Sequence, residues 1–365
     1  MESNSSRRNR PNLLIELGLE SISDVVLLAL QCLRSGNYQH AIQLCSAGCE
    51  RYGNDTAAAV VSAMAELGMG EVGRAETLLS AVRSAHPTHL VSLYTLAWLH
   101  AESGDTALAV KELLAVIRAY PDYPGALGAL STFHMPGPSY RDVLGYVHQV
   151  LAPKTYLEIG VETGATLRLA QSAELAVGID PNLVAVRKSE IKGQVRLYET
   201  TSDEFFTAHT CASVFDGRPL DLAFIDGMHR FEYAIRDFCN VESWSNPNTV
   251  VVLHDVLPVH PIVAERERQT KFWVGDTWKV LWLLVERRQD LTISVIPTPP
   301  SGLAIIRGLN REHKCDPAHF GNTIEHYAGL TYPSLEPGTW PGHLRLVANT
   351  RAGWNSALFM SEKSS

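Results

Sequence analysis

The sequence predicts an all-α helical repeat domain followed by an α/β domain, whose doubly wound and mostly parallel sheet ends in an antiparallel hairpin. Three observations carry this prediction. Small residues and glycines recur with a period of 34 residues in the first third of the chain. Apolar runs of strand length then alternate with helical segments, and the segment PTPPSG alone separates the last two runs. At 365 residues, the chain has room for two or three domains of roughly 150 residues each.

Composition and charge exclude several classes of protein. Apolar residues make up 45% of the chain and charged residues 19%, as in an ordinary globular protein. The net charge of −8 provides no overall positive field for nucleic acid or an anionic membrane, and the apolar runs are too short to span one. The amino terminus leads into no apolar secretory segment, and the cysteines lack a CxxC pair. We therefore expect a cytoplasmic protein with reduced thiols, and small molecules or proteins as partners.

The first third of the chain contains a repeated turn. Gly36, Gly70 and Gly104 lie 34 residues apart, and two sets of alanines share that spacing: Ala29, Ala63 and Ala97, then Ala41, Ala75 and Ala109. Each turn lies between stretches with helical apolar spacing, which predicts three helix-turn-helix units. The period resembles the tetratricopeptide repeat over about residues 22 to 123, within a predicted domain 22–135. That resemblance implies a groove for a protein partner or for self-association; alternatively, the helices only extend the second domain.

A linker at Met135 to Ser139 precedes a second domain, which we place at residues 140–310. In a parallel doubly wound sheet, ligands bind outside the carboxyl ends of the strands. The predicted strands are Thr155 to Ile159, Leu175 to Ile179, Val195 to Tyr198, Leu220 to Ile225, Val250 to Leu253, Leu291 to Ile296 and Leu303 to Ile306.

The first predicted strand runs into the turn Glu158-Ile-Gly160-Val-Glu162-Thr-Gly164, with a helix expected around Leu167 to Ala170. Glycines at such a turn let a nucleotide-like ligand approach the backbone, but the flanking glutamates would repel phosphate. A cationic ligand such as S-adenosyl-L-methionine fits, with Glu158 accepting hydrogen bonds on its ammonium side. Asp180 ends the second strand, where an acidic side chain can bind both ribose hydroxyls.

Two aspartates and two histidines follow the next two strands. Asp226 and His229 end the fourth strand, and His254 and Asp255 end the fifth. Two carboxylates in one pocket repel each other unless a cation intervenes, and Mg²⁺ prefers such oxygen ligands. A bound ion would lower the pKa of a substrate hydroxyl, and His229 or His254 would take its proton. The alternative is structural: the aspartates cap helices and His254 is a core histidine.

With the glycine turn, Asp180 and the terminal hairpin, residues 140–310 resemble the class I S-adenosylmethionine-dependent methyltransferases. The segments FIDGMHRFEYAIRDF, VVLHD, GDTWKVLW and PPSGLAIIRGL resemble a bacterial subfamily that includes macrolide-sugar O-methyltransferases and so-called cephalosporin hydroxylases. The resemblance implies a Rossmann-like seven-stranded sheet, metal binding by Asp226 and Asp255, and a general base at His229. The residues that it places around the cofactor are Glu158, Gly160, Gly164, Asp180, Ser202 and Asp226.

This chain departs from the family pattern at two places. Glu162 stands where the family usually has glycine, and Val256 stands where metal-dependent relatives have asparagine. Ser202, expected near adenine, can instead be the N-cap of a helix. Trp273, Trp278 and Trp282 are expected to form a core-facing stripe on one helix.

We therefore expect methylation of a hydroxyl on a small molecule, a sugar or secondary metabolite, assisted by Mg²⁺. The alternative is a non-catalytic scaffold that keeps the cofactor fold and docks partners through its repeats. A hydroxylase is disfavoured because no His-His-carboxylate set for iron is evident. Residues 311–365 are expected to form an irregular extension that folds over the sheet edge as a lid or partner contact.

Overall fold

The computed structural model describes residue 14 and residues 17–313, 322–333 and 344–359. Contacts divide the chain into two compact units, Met1–Ala126 and Leu127–Ser365. This division falls before the predicted linker at Met135 to Ser139. The assignment of residues 22–135, 140–310 and 311–365 to a repeat domain, a cofactor-binding domain and an extension stays a prediction.

The first unit contains three consecutive helix pairs at the positions that the 34-residue period predicts. Gly36, Gly70 and Gly104 follow the first helix of each pair with positive φ angles of 76°, 82° and 89°. Nothing lies within 4 Å of a Cβ added at these glycines, so the backbone conformation alone requires them. The helices are α1 (Ile22–Arg34), α2 (Tyr38–Tyr52), α3 (Thr56–Gly68), α4 (Val72–Ala85), α5 (Leu90–Glu102) and α6 (Thr106–Ala119).

The recurring alanines are the residues that let these helices pack closely. All six are completely buried, which explains why the small side chain recurs with the turn. The predicted helical repeat architecture is confirmed, whereas membership of the tetratricopeptide family stays a prediction.

The second unit is built on a seven-stranded sheet with the order β3-β2-β1-β4-β5-β7-β6. Neighbours from β3 to β5 pair in parallel, and β7 lies antiparallel between β5 and β6. The predicted fold class and its terminal hairpin are therefore confirmed. The strands are β1 (Thr155–Ile159), β2 (Leu175–Ile179), β3 (Gln194–Tyr198), β4 (Leu222–Ile225), β5 (Val250–His254), β6 (Thr292–Ile296) and β7 (Leu303–Arg307).

Helices cover this sheet less completely than the sequence predicts. The helix expected around Leu167 to Ala170 is a single 3-10 turn, Leu167–Leu169, so that prediction is wrong. The Glu174 N–H already donates to the Lys154 carbonyl at 2.8 Å, and the chain must return to the sheet within a few residues of Gly164. The helices of this unit are α7 (Ala126–His134), α8 (Tyr140–Leu151), α9 (Ser202–Ala208), α10 (Cys211–Val214), α11 (Phe231–Ser243), α12 (Trp278–Arg287), α13 (Asn322–Ala328) and α14 (Arg351–Phe359).

The described part of the carboxyl-terminal region packs on the edge of the sheet. The Val295 N–H on β6 donates to the Arg345 carbonyl at 2.8 Å, and the Val347 N–H donates to the Val295 carbonyl at 2.9 Å. Trp354 and Leu358 on α14 are buried in the same core as α8. These residues thus contribute to the core, and a role as lid or partner contact stays a prediction.

Most of the described cysteines are free thiols, namely Cys32, Cys45, Cys49 and Cys211. Cys239 takes part in a disulfide, so the expectation of reduced thiols is wrong there, and Cys315 lies outside the described residues. Among the described helices, none is long and apolar enough to cross a membrane.

Candidate functional site

The carboxyl ends of β1, β2, β4 and β5 place the predicted site residues along one edge of the sheet. β1 pairs with both β2 and β4, and β4 pairs with β5, so these four strand ends are neighbours. His229 and His254 each come within hydrogen-bonding or ion-pair distance of both Asp226 and Asp255. Asp180 instead contacts the turn after β1.

Close packing explains the glycines of that turn. Gly160 has a φ angle of 88°, and an added Cβ would lie 1.9 Å from the Asp226 carbonyl oxygen. Gly164 has a φ angle of 74°, and its Cβ would lie 2.8 Å from Val186. Glu162 adopts a left-handed φ of 46°, a conformation that costs a non-glycine residue roughly 1 to 3 kcal/mol. The glycine usual in the resembled family at this position would remove that strain.

Asp180 ties the end of β2 to this turn. Its carboxylate accepts hydrogen bonds from the Glu162 N–H at 2.8 Å and the Asn182 N–H at 2.7 Å. The side chain is half-buried, and each carboxylate oxygen retains capacity for a further hydrogen bond. Asp180 is therefore a hydrogen-bond acceptor that two backbone N–H groups orient beside the turn. Its contact with ribose hydroxyls stays a prediction.

Glu158 has a different environment from the one the sequence suggests. It is completely buried, and its carboxylate accepts hydrogen bonds from the Tyr156 hydroxyl at 2.6 Å and the Thr166 hydroxyl at 2.7 Å. Burial raises the pKa of Glu158 to about 8, against the opposing effect of these two hydrogen bonds. The carboxyl group thus joins β1 to the segment after the glycine turn, and its predicted contact with an ammonium group stays untested.

Ser202 begins α9, but it is not the N-cap. Thr201 is the N-cap and forms a reciprocal capping box with Glu204. Asp237 on α11 lies near Ser202 and is 1% exposed. Burial raises the pKa of Asp237 to about 7, and the nearby Ser202 hydroxyl lowers it in part. The N-cap interpretation of Ser202 is therefore wrong by one residue, and its contact with adenine stays a prediction.

The orientation of His229 is set by a backbone carbonyl. Its Nδ1 lies 3.0 Å from the Trp273 carbonyl oxygen, which can only accept a hydrogen bond. Nδ1 therefore carries the hydrogen, and in the neutral ring the lone pair is on Nε2. Nε2 faces Asp255 Oδ2 at 3.2 Å and Asp226 Oδ1 at 3.8 Å. A lone pair directed at two carboxylates is stable only with a proton or a cation between them.

Asp255 presents one oxygen without a hydrogen-bond donor. Asp255 is 4% exposed and has a left-handed φ of 60°. Its Oδ1 accepts a hydrogen bond from the Ser301 hydroxyl, whereas the buried Oδ2 has no hydrogen-bond partner. Ligand atoms of Asp226, His229 and Asp255 all lie within 4.8 Å of one another, and no other set of three such side chains occurs among the described residues. The two carboxylates of this set are the oxygen ligands that a small divalent cation prefers.

His254 lies behind the two aspartates. Its Nδ1 is 3.0 Å from Asp226 Oδ1 and 3.4 Å from Asp255 Oδ1, and the residue is 6% exposed. Burial lowers the pKa of His254, but the charges of Asp226 and Asp255 outweigh burial and raise it to about 9. A histidine that holds its proton at neutral pH is poorly suited to be a general base.

Sequence reasoning did not place three residues in contact with these groups. Ser301 comes from the loop between β6 and β7, and Tyr140 stacks on His254 with ring centroids 4.2 Å apart. Trp273 lies before α12, which begins at Trp278, and stacks on His229 at 5.3 Å. The prediction of a single core-facing helix stripe is therefore wrong for Trp273. Its signal was the glycine at position 275, which interrupts the helical pattern.

Comparison with known proteins gives one family match and several distant structural similarities. Residues 157–256 match the family model described as a methyltransferase domain. The O-methyltransferase from Bacillus cereus in complex with SAH is 13% identical, with a TM-score of 0.35 over 54% of this chain and 89% of that chain. TomG from Streptomyces achromogenes, an O-methyltransferase involved in tomaymycin synthesis, in complex with SAM, is 15% identical, with a TM-score of 0.36 over 51% and 90%. No curated protein matches the sequence.

Proposed function

We propose that this chain, which carries a class I S-adenosylmethionine-dependent methyltransferase domain, methylates a hydroxyl group of a small molecule, a sugar or secondary metabolite. The family match spans the four strand ends at which the polar residues gather. The observation that carries the proposal is the grouping of Asp226, His229 and Asp255 at the carboxyl edge of the sheet. Two carboxylates that can bind a cation, together with one imidazole that can accept a proton, are suited to activate a hydroxyl group.

S-adenosyl-L-methionine supplies an electrophilic methyl group on a positively charged sulfur. The residues at the turn after β1 fit it, because the turn presents the carboxylates of Glu162 and Asp180 rather than cationic side chains. Asp180 is already oriented by two backbone N–H groups, so its remaining lone pairs can accept from ribose hydroxyls without reorganisation. Gly160 and Gly164 keep the turn close to the end of β4 and to Val186.

Mg²⁺ fits Asp226 and Asp255, because the buried Oδ2 of Asp255 lacks a donor and Asp226 stands beside it. When bound, the ion supplies positive charge that lowers the pKa of a coordinated hydroxyl. Asp226 and Asp255 would hold this ion. His229 is the general base of the proposal, since the hydrogen bond from its Nδ1 to the Trp273 carbonyl puts the accepting lone pair on Nε2. Catalysis otherwise consists of positioning.

Removal of divalent cations is expected to lower methyl transfer at least about 10-fold, because the Asp226 and Asp255 charges then repel the developing alkoxide. The measurement is transfer of labelled methyl from S-adenosylmethionine to a panel of hydroxylated sugars and phenols, after chelation and after Mg²⁺ is restored. Asp255→Asn is expected to be slow with and without added Mg²⁺.

Two outcomes would contradict parts of this proposal. Full activity after chelation would contradict the role of the metal and leave the proposed methyltransferase activity standing. Cofactor binding without transfer to any hydroxylated acceptor would favour the scaffold alternative, in which the helical repeats dock a partner.

A further inference from the structure

Both ring nitrogens of His254 face hydrogen-bond acceptors. Nδ1 lies 3.0 Å from Asp226 Oδ1, and Nε2 lies 3.3 Å from the Ser301 hydroxyl oxygen. A hydroxyl has one hydrogen, and that of Ser301 is donated to Asp255 Oδ1, a carboxylate oxygen that cannot donate. Ser301 therefore offers His254 a lone pair. Neither nitrogen of His254 is left facing the site with a lone pair of its own.

The resulting chain of contacts joins three strands of the sheet. Asp226 follows β4, His254 and Asp255 are at the end of β5, and Ser301 is in the loop between β6 and β7. The pairing of His254 with Leu303 fixes the position of this loop along β5. Ser301 is completely buried, so water does not compete for its hydrogen bonds.

These contacts decide which carboxylate oxygens remain for a ligand. Oδ1 of Asp226 and Oδ1 of Asp255 both accept from protein donors, and a carboxylate held at one oxygen cannot rotate freely. Asp255 Oδ2 is thereby kept toward His229 Nε2 at 3.2 Å. Tyr140, stacked on His254, restricts the imidazole to this plane.

We propose that His254 and Ser301 are positioning residues that hold the carboxylates of Asp226 and Asp255 in the arrangement that binds the divalent cation. This inference rests on the metal-assisted function proposed above. It removes His254 from the role of base and adds the hairpin loop to the site. Hydrogen-bond partners of metal ligands typically contribute about 10- to 100-fold to metal affinity.

The test is Mn²⁺ binding by calorimetry to the full chain and to a graded set of variants, with no acceptor present. His254→Asn keeps a donor near the position of Nδ1 and loses the contact with Ser301, whereas His254→Gln reaches toward Ser301 and loses Asp226. Ser301→Ala removes one small hydroxyl from the network. His100→Asn, at a histidine 8% exposed in the first unit, is the matched control for loss of a buried imidazole.

We expect Mn²⁺ affinity to fall in the order wild type, His254→Asn, His254→Gln, with a loss of about 10-fold or more for the last and a smaller loss for Ser301→Ala. Affinity for S-adenosylhomocysteine should stay unchanged, and high Mg²⁺ should restore much of the turnover of His254→Asn. A base at His254 would predict lost turnover that no Mg²⁺ concentration restores, and that result overturns the inference.

Two other results also decide the matter. Equal Mn²⁺ affinity in wild type and the His254 variants overturns the positioning role and leaves metal assistance standing. Absence of Mn²⁺ binding in the wild type overturns both, while S-adenosylhomocysteine binding in the same sample reports separately on the methyltransferase.

Discussion

His229→Ala is expected to lower kcat by about 10²- to 10⁴-fold, which is the usual range for the loss of a positioned general base. The physical reason is the fixed tautomer: the Trp273 carbonyl holds the hydrogen on Nδ1, so Nε2 is the nitrogen that accepts the proton. His229 is half-buried beside Asp226 and Asp255 rather than at the turn after β1. Its loss should therefore leave the affinity for S-adenosylhomocysteine close to that of the wild type.

His229→Asn is the matched variant for this prediction. Its side-chain amide can still donate to the Trp273 carbonyl, so the loop before α12 keeps its anchor, but no atom replaces Nε2. Steady-state kinetics should show a loss of kcat for His229→Asn similar to that of His229→Ala. The melting temperature of His229→Asn should be higher than that of His229→Ala. Turnover near the wild-type value in either variant would remove His229 as the base and leave proton transfer to solvent.

Arg288→Met is expected to destabilise the second unit by about 3 to 5 kcal/mol, the usual cost of breaking a buried ion pair from one side. The Arg288 side chain is 2% exposed and bonds both oxygens of Glu242, at 2.8 and 2.7 Å, while Glu242 is completely buried. The guanidinium also bonds Asp290 at 2.7 Å. Without Arg288, the Glu242 carboxylate would be an uncompensated charge in the core.

The double variant Arg288→Met with Glu242→Met distinguishes the cost of an unpaired buried charge from the cost of changed packing. Replacing both charges by apolar side chains of similar size is often nearly neutral, so the double variant should recover most of the lost stability. Urea denaturation followed by tryptophan fluorescence measures both. A single variant as stable as the wild type would show that Glu242 finds another partner or protonates at little cost.

The sequence predicts most of the sheet because its strands are short apolar runs with clear ends. β1 and β2 are buried at every position, and they begin and end at the predicted residues. The repeat is equally visible, because a turn with positive φ demands glycine at fixed spacing. The helix expected around Leu167 to Ala170 is wrong because apolar spacing does not reveal how soon the chain must rejoin the sheet.

The candidate site is predictable only where its residues directly follow strands. Asp226 and Asp255 belong to this class, since the ends of neighbouring parallel strands meet at one edge. Ser301 could not be placed, because it reaches Asp255 only through the register of β7 against β5. Trp273 could have been placed only from Gly275, whose φ of 65° interrupts the helical pattern. The Gly275 backbone packs against the His229 carbonyl.

The most direct test of a cofactor-dependent methyltransferase is a calorimetric titration of the full chain with S-adenosylhomocysteine, beside Asp180→Asn. We predict binding to the wild type and affinity about 10-fold or more lower for Asp180→Asn, because hydrogen bonds to a charged carboxylate contribute roughly 1.5 to 3 kcal/mol. The absence of any binding to the wild type, with or without Mg²⁺, would contradict the proposed function.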